Sequence, residues 1–252
     1  MSPLDAQPAT DAAPLTQMQR VTNTFAAPSK TFADIKRGNR SWWMPCVIAI
    51  LFSYILFAAI TMKIGWVQVT ENTLRMNARS AERMDQASPE QRASILKITQ
   101  YSMEGGFAAT PVLIIVGGLI IAVVLWGTIN FVFGGKAKYG DVLAVWFYAI
   151  LPGTLKSILG TIVIFAGIAP ESFNMANFSP TNVGAFLSPQ DTGPALYKLA
   201  TAIDFTTIWY LVLMGIGLSI VAGVKRSSGY MAVFGWWAVV VLLGVGWAAA
   251  FG

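Results

Sequence analysis

Histidine is absent from this chain, and cysteine occurs once, as Cys46. Without histidine an ordinary Ser-His-Asp triad cannot be built, however many serines are present. One thiol permits no internal disulfide. With a single Cys and no His, zinc and copper lack their preferred ligands, so no metal or cofactor is expected. Cys46 opens an apolar run and reads as a buried, inert thiol. Carboxylates are sparse in the apolar runs, so the paired acids of proton-transfer chemistry are missing too. There is no phosphate loop, and Gly215-Ile216-Gly217 lacks the strand context and third glycine of a dinucleotide loop. The sequence thus predicts a protein that is not an enzyme. Charge is scarce as well. Charged residues make up 12% of the chain, about half the share of an ordinary soluble domain. That is too little to cover a soluble surface. The net charge of +5 points to cytoplasmic Lys and Arg in a membrane protein, not to nucleic-acid binding.

What the chain has instead is five apolar runs, consistent with its mean hydropathy of +0.60. The fold class expected is all-α, a polytopic membrane protein with five transmembrane helices. Residues 1–20, rich in Ala, Pro, Gln and Thr, read as a disordered tail without the apolar core of a secretory signal. Residues 21–252 read as the membrane domain. Between Val21 and Arg40, Phe25, Phe32 and Ile35 alternate with Lys30, Lys36, Arg37 and Arg40. With Ser29 as a cap, this suggests either a short amphipathic helix at the headgroups over about 30–37 or a basic linker. The spans are expected at about 43–62, 111–133, 142–168, 203–224 and 230–251. Trp42 and Trp43 lie about 35 Å of helix before Trp66, matching a bilayer with its two aromatic belts.

A polar stretch separates the first two spans. Ile64, Val67, Leu74, Ala78 and Ala81 continue the helical period beyond the membrane. Ser88-Pro89-Glu90-Gln91 has the pattern of a capping box with proline at the first helical position. A second helix follows through Met103, giving an external helical hairpin. Gly105-Gly106 then suggests a loosening of the chain, and Thr110-Pro111 a new helix start. The loop at about 169–192 carries Pro170, Pro180 and Pro189, and Phe173, Phe178 and Phe186 suggest that it lies on the membrane surface. A helix restarts near Pro194.

Orientation follows from the cations. The N-terminal segment and the two short turns hold nine, against seven on the other side, so the N-terminus is expected to be cytoplasmic. The expected location is the cell (inner) membrane, or an endomembrane in a eukaryote.

The third run is the unusual one, because it holds Tyr148, Pro152, Gly153 and Lys156 in its middle. A charge near the bilayer centre costs roughly 2.5–3.5 kcal/mol and usually has a partner. Asp204, opening the fourth run ahead of Phe205 and Trp209, is the acid available. Snorkelling, or bonding to carbonyls freed by Pro152, are the alternatives. Gly153, Ser157 and Gly160 form a small-residue face, and so do Gly215, Ser219 and Gly223; such faces let helices approach closely.

Taken in order, Pro28-xxx-Phe32 with its basic run, Trp42-Trp43-Met44-Pro45, Ser88-Pro89-Glu90-Gln91, Tyr148-xxx-Pro152 and Asp204-Phe205-xx-Ile208-Trp209 resemble the Yip (Ypt-interacting protein) family. The likeness runs from about residue 21 to 250 and is greatest to its short prokaryotic members. The resemblance implies a five-helix membrane domain with a cytoplasmic N-terminus and no catalytic residues. Eukaryotic relatives bind Rab-type GTPases and help shape or sort transport vesicles. The short N-terminal region here argues against GTPase binding. The expected partners are the lipid bilayer and either a second copy or another membrane protein. The function expected is membrane organisation or a trafficking-like process through helix-mediated binding. The alternatives are a small transporter or channel subunit with a passage near Lys156, and an accessory subunit using the external hairpin.

Overall fold

In the computed structural model, residues 13–189 and 191–251 are described, and twelve α-helices but no strand occur among them. Five segments are long and apolar enough to cross a membrane: Trp43–Lys63, Thr110–Val132, Tyr139–Phe165, Phe205–Ala222 and Arg226–Ala250. The expected spans lie within a few residues of these. The largest differences are at the third, displaced three residues towards the N-terminus, and at the fifth, where Arg226 already belongs to the helix rather than to a turn.

The chain enters through two short helices, α1 (Gln17–Ala26) and α2 (Pro28–Lys36). Thr16 caps α1 in a reciprocal box with Gln19, and Pro28 starts α2 with no side-chain cap. Of the tail expected at 1–20, residues 1–12 lie outside the described residues, and Gln17–Arg20 are the first turn of α1. Of the two readings of the next segment, the helix forms, and its Phe32 and Ile35 are 0% exposed because that face of α2 packs against spans three and four.

The first span is α3 (Trp43–Lys63). A helix running on past the membrane was expected, but Gly65, at φ +82°, breaks it; that backbone region suits glycine alone at little cost. The external segment is α4 (Trp66–Met76), α5 (Ala78–Gln86) and α6 (Pro89–Ala108). The Ser88/Gln91 capping box forms as read. Its serine hydroxyl and Glu90's own backbone also hold the Glu90 carboxyl below the ordinary carboxylate range, the backbone bond being the larger cause. Gly105-Gly106 does not loosen the chain: α6 runs through both to Ala108. Thr110 is the first residue of α7 (Thr110–Gly127), which has no side-chain cap. One π turn, Thr128–Val132, completes the second span.

The third span is two helices in line, α8 (Tyr139–Ala149) and α9 (Pro152–Phe165). Pro152 has no N–H to give the ladder. The Tyr148 carbonyl instead accepts from the Leu151 N–H at 3.3 Å, in a tighter turn. Every residue of α8 from Asp141 to Ala149 is buried, so this half-helix has neighbours all round. They are α7, α11 (Phe205–Ala222), α2, α1 and α3. Between α9 and α11 come three 3₁₀ turns and α10 (Pro194–Ala202). Of the three loop phenylalanines expected at the surface, Phe173 is buried at 1% exposure and Phe186 stands out at 81%. The last span, α12 (Arg226–Phe251), is joined to α11 by a turn in which Gly223 takes φ +70°.

Two apolar cores result. The larger surrounds α8 and α11 on the N-terminal side. The smaller, built on Leu56, Ile60, Trp66, Val69, Ile164 and Phe173, seals the opposite side, where α4 meets the 169–178 loop. Asn72 fixes that seal by donating to the carbonyls of Pro170 (2.7 Å) and Phe173 (3.0 Å).

Candidate functional site

Asp204 and Lys156 meet. The Lys156 ammonium lies 3.2 Å from Asp204 Oδ2 and 5.6 Å from the centre of the Phe178 ring. Lysine is the long, flexible member of the pair and remains 27% exposed, while the carboxylate is 2% exposed. Asp204 owes its position to α11, which it caps: Oδ1 accepts from the Thr207 N–H (3.0 Å) and the Thr206 hydroxyl (2.6 Å). Oδ2 accepts from the Thr181 hydroxyl at 2.7 Å. The carboxylate therefore has four donors, of which Lys156 is one. Backbone bonds from Phe205 to Thr181 (2.9 Å) and from Val183 to Ile203 (3.2 Å) bind the preceding loop to the head of α11. One residue thus caps a span, neutralises a membrane lysine and docks a loop.

The neighbouring site residues divide sharply. Pro152 is buried at the start of α9. Gly153 is exposed, with open space where a Cβ would stand, so it makes no close packing. Gly160 is the close-packed member of that face: a Cβ there would fall 2.5 Å from the Phe178 ring and 3.4 Å from Leu56. The second small-residue face works within the chain. A Cβ on Gly215 would meet Tyr230 at 2.3 Å, and one on Gly229 would meet the Gly215 carbonyl at 2.3 Å, so α11 and α12 cross there at close range. Phe205 is 64% exposed. Trp209 lies between it and the N-terminal helices, 5.6 Å from the Phe205 ring and 5.5 Å from that of Phe25.

Tyr148 leads to a second polar cluster. Its hydroxyl is 3.0 Å from both Gln17 Oε1 and the Ser41 carbonyl, either of which accepts its proton. The Arg20 guanidinium sits 5.3 Å from the centre of its ring. Arg20 is 1% exposed, donates to the Asn39 carbonyl at 2.6 Å, and has Asp34 Oδ2 3.9 Å away. Asp34, also 1% exposed, accepts from Arg37 (3.0 Å), Asn39 (2.8 Å) and the Leu15 N–H (3.2 Å). Arg40 pairs with Asp141 at the start of α8. None of Arg20, Asp34 or Asp141 was singled out from the sequence. The usable signal was Thr16-Gln17-Met18-Gln19, a capping box that starts a helix inside the supposed tail.

Chemically both clusters pair complementary charges through hydrogen bonds and close ion contacts, although the buried Arg20 Nε has no hydrogen-bond acceptor. Among the described residues no group of three or more His, Cys, Asp or Glu side chains could hold a metal ion.

The comparisons with known proteins accord with this architecture. The chain is 23% identical over 234 residues to "Membrane protein YknW" of Bacillus subtilis (strain 168), an alignment covering 91% of this chain and 87% of that one. No solved structure matches. The family model described as "Yip1 domain" matches residues 22–248, and this chain is a prokaryotic-type member of that family.

Proposed function

We propose that this protein is a non-enzymatic membrane scaffold that organises the bilayer or other membrane proteins by presenting a helical arm to a partner. The carrying observation is α6. Over its 20 residues none is buried, and Ile98 and Tyr101, which lie outside the five spans, are 63% and 61% exposed. The arm is held from below by α4, whose Trp66, Val69, Thr70 and Asn72 are buried. A packed base under an exposed arm that carries Ile98 and Tyr101 suits helix-mediated association. Tyr148, Pro152, Lys156, Asp204 and Trp209 serve in this reading as the packing centre that holds the base, with the N-terminus in the cytoplasm.

Photocrosslinking residues introduced at 98 and 101 in native membranes, followed by mass spectrometry, test the proposal. One discrete adduct, a second copy or another membrane protein, is expected, and Ile98→Asp should weaken it at least tenfold. No adduct from either position would overturn the reading. The passage alternative predicts ion flux in liposomes that Lys156→Met abolishes. The commitment of the Lys156 ammonium to Asp204 and Phe178 favours the scaffold.

A further inference from the structure

Among the described residues, six cations on the N-terminal side have no carboxylate partner: Lys30, Lys36, Lys136, Lys138, Lys225 and Arg226. They come from three separate elements, which the fold draws together. The Lys136 N–H donates to the Ala222 carbonyl at 3.0 Å, bringing the 134–138 turn to the end of α11. Arg226 Nη2 donates to the Ser29 hydroxyl at 3.1 Å, tying the start of α12 to α2. Lys36 Nζ lies 3.6 Å from where a Gly223 Cβ would stand, over the same helix end. All six side chains are exposed. The two described carboxylates on this side, Asp34 and Asp141, are buried in ion pairs of their own. The field at this surface is therefore positive and uncompensated.

A second observation says what kind of anion fits. Four of the cations, Lys136, Lys138, Lys225 and Arg226, flank the ends of the second and fourth spans and the starts of the third and fifth, where headgroups meet a span, and Lys30 and Lys36 are carried beside them by α2. The second span ends four residues before Lys136 with Phe131 and Val132, 80% and 72% exposed. Apolar side chains one turn deeper than a cation cluster match an amphiphile with acyl chains and an anionic head. We propose that this cluster binds the phosphodiester of an anionic bilayer phospholipid from the leaflet on the N-terminal side. Because the head is shared between α2 and the two turns, the bound lipid holds the α1–α2 pair against α8 and α11.

The test uses the purified full-length chain. Native mass spectrometry with phosphatidylglycerol or phosphatidylcholine added at equal concentration should show at least tenfold greater retention of phosphatidylglycerol. The variant Lys36→Gln/Lys136→Gln/Lys225→Gln should lose that preference, and Arg79→Gln/Arg83→Gln/Arg92→Gln, on the opposite side, should keep it. In nanodiscs of the wild-type chain, phosphatidylglycerol should slow hydrogen exchange of residues 20–36 relative to phosphatidylcholine alone, a readout that does not depend on any variant folding. Equal retention of the two lipids, equal loss in both variants, or displacement by inorganic phosphate at the lipid's concentration would overturn the proposal. So would unchanged exchange in the two nanodiscs.

Discussion

Removing Asp204 and removing Lys156 have unequal consequences, because the two residues differ in how many other partners they hold. Asp204→Ala takes the cap from α11, frees Thr181 and with it the loop, and leaves an ammonium in the third span without a counter-charge. Removing one partner of a buried pair costs about 3–5 kcal/mol, and the partial exposure of Lys156 places this case at or below the lower end. Lys156→Met leaves the carboxylate with the Thr181, Thr206 and Thr207 donors and removes a charge that the bilayer disfavours. About 1 kcal/mol or less is expected. Unfolding the two variants in detergent micelles checks the order; equal losses would mean that the pair, not the cap and loop, dominates. This contact was open to sequence reasoning because only one acid stands near the only lysine of an apolar run. The cluster of Arg20, Asp34 and Tyr148 was not. Tyr148 lies more than 100 residues from the other two in the chain, and a polar N-terminal segment reads as solvated until a partner surface is known to receive it.

At the level of elements, the central feature is that α8 is enclosed partly by helices that do not cross the membrane. The periodic apolar runs made the five spans legible, since each is long and separated by polar or glycine-rich turns. They could not show that α8, the first half of the third span, is covered by α1 and α2, because Thr24, Thr31, Arg20 and Asp34 break the apolar pattern of both short helices. Those residues are buried through hydrogen bonds, with the Thr24 and Thr31 hydroxyls both donating to the Arg20 carbonyl at 2.8 and 2.9 Å. Gly217 controls the docking. A Cβ there would fall 2.3 Å from Val145 and 3.1 Å from the Phe32 ring. Gly217→Val is therefore expected to push α2 outward, with an overpacking cost of about 1–3 kcal/mol. Hydrogen exchange of residues 28–36 should accelerate. Gly153→Ala enters open space and should change stability by less than about 0.5 kcal/mol. If both variants exchange alike, α2 is not held by this contact.

Across the whole molecule, charge is distributed by side more clearly than a cation count suggests. On the N-terminal side the described residues include nine cations, Arg20, Lys30, Lys36, Arg37, Arg40, Lys136, Lys138, Lys225 and Arg226, against two carboxylates. On the opposite side, Lys63, Arg75, Arg79, Arg83, Arg92, Lys97 and Lys198 are matched by Glu71, Glu82, Asp85, Glu90, Glu104, Glu171 and Asp191. The excess is concentrated in short segments next to span ends, the elements that govern insertion. An odd number of spans puts the C-terminus with the external arm, and the Arg79 guanidinium donates to the Ala250 carbonyl at 3.1 Å, joining the two on one side. Alkaline phosphatase, active only outside the cytoplasm, should therefore be active when fused after Ala87 or at the C-terminus and inactive when fused after Lys136. Charge reversal is the sharper check. Glutamate at Lys136, Lys138, Lys225 and Arg226 removes the excess in both short turns and at the start of α12 without touching an ion pair, so it should raise the fraction of chains with an inactive C-terminal fusion. If orientation does not respond, the external arm or the N-terminal helices, and not the turns, determine how this bundle enters the membrane.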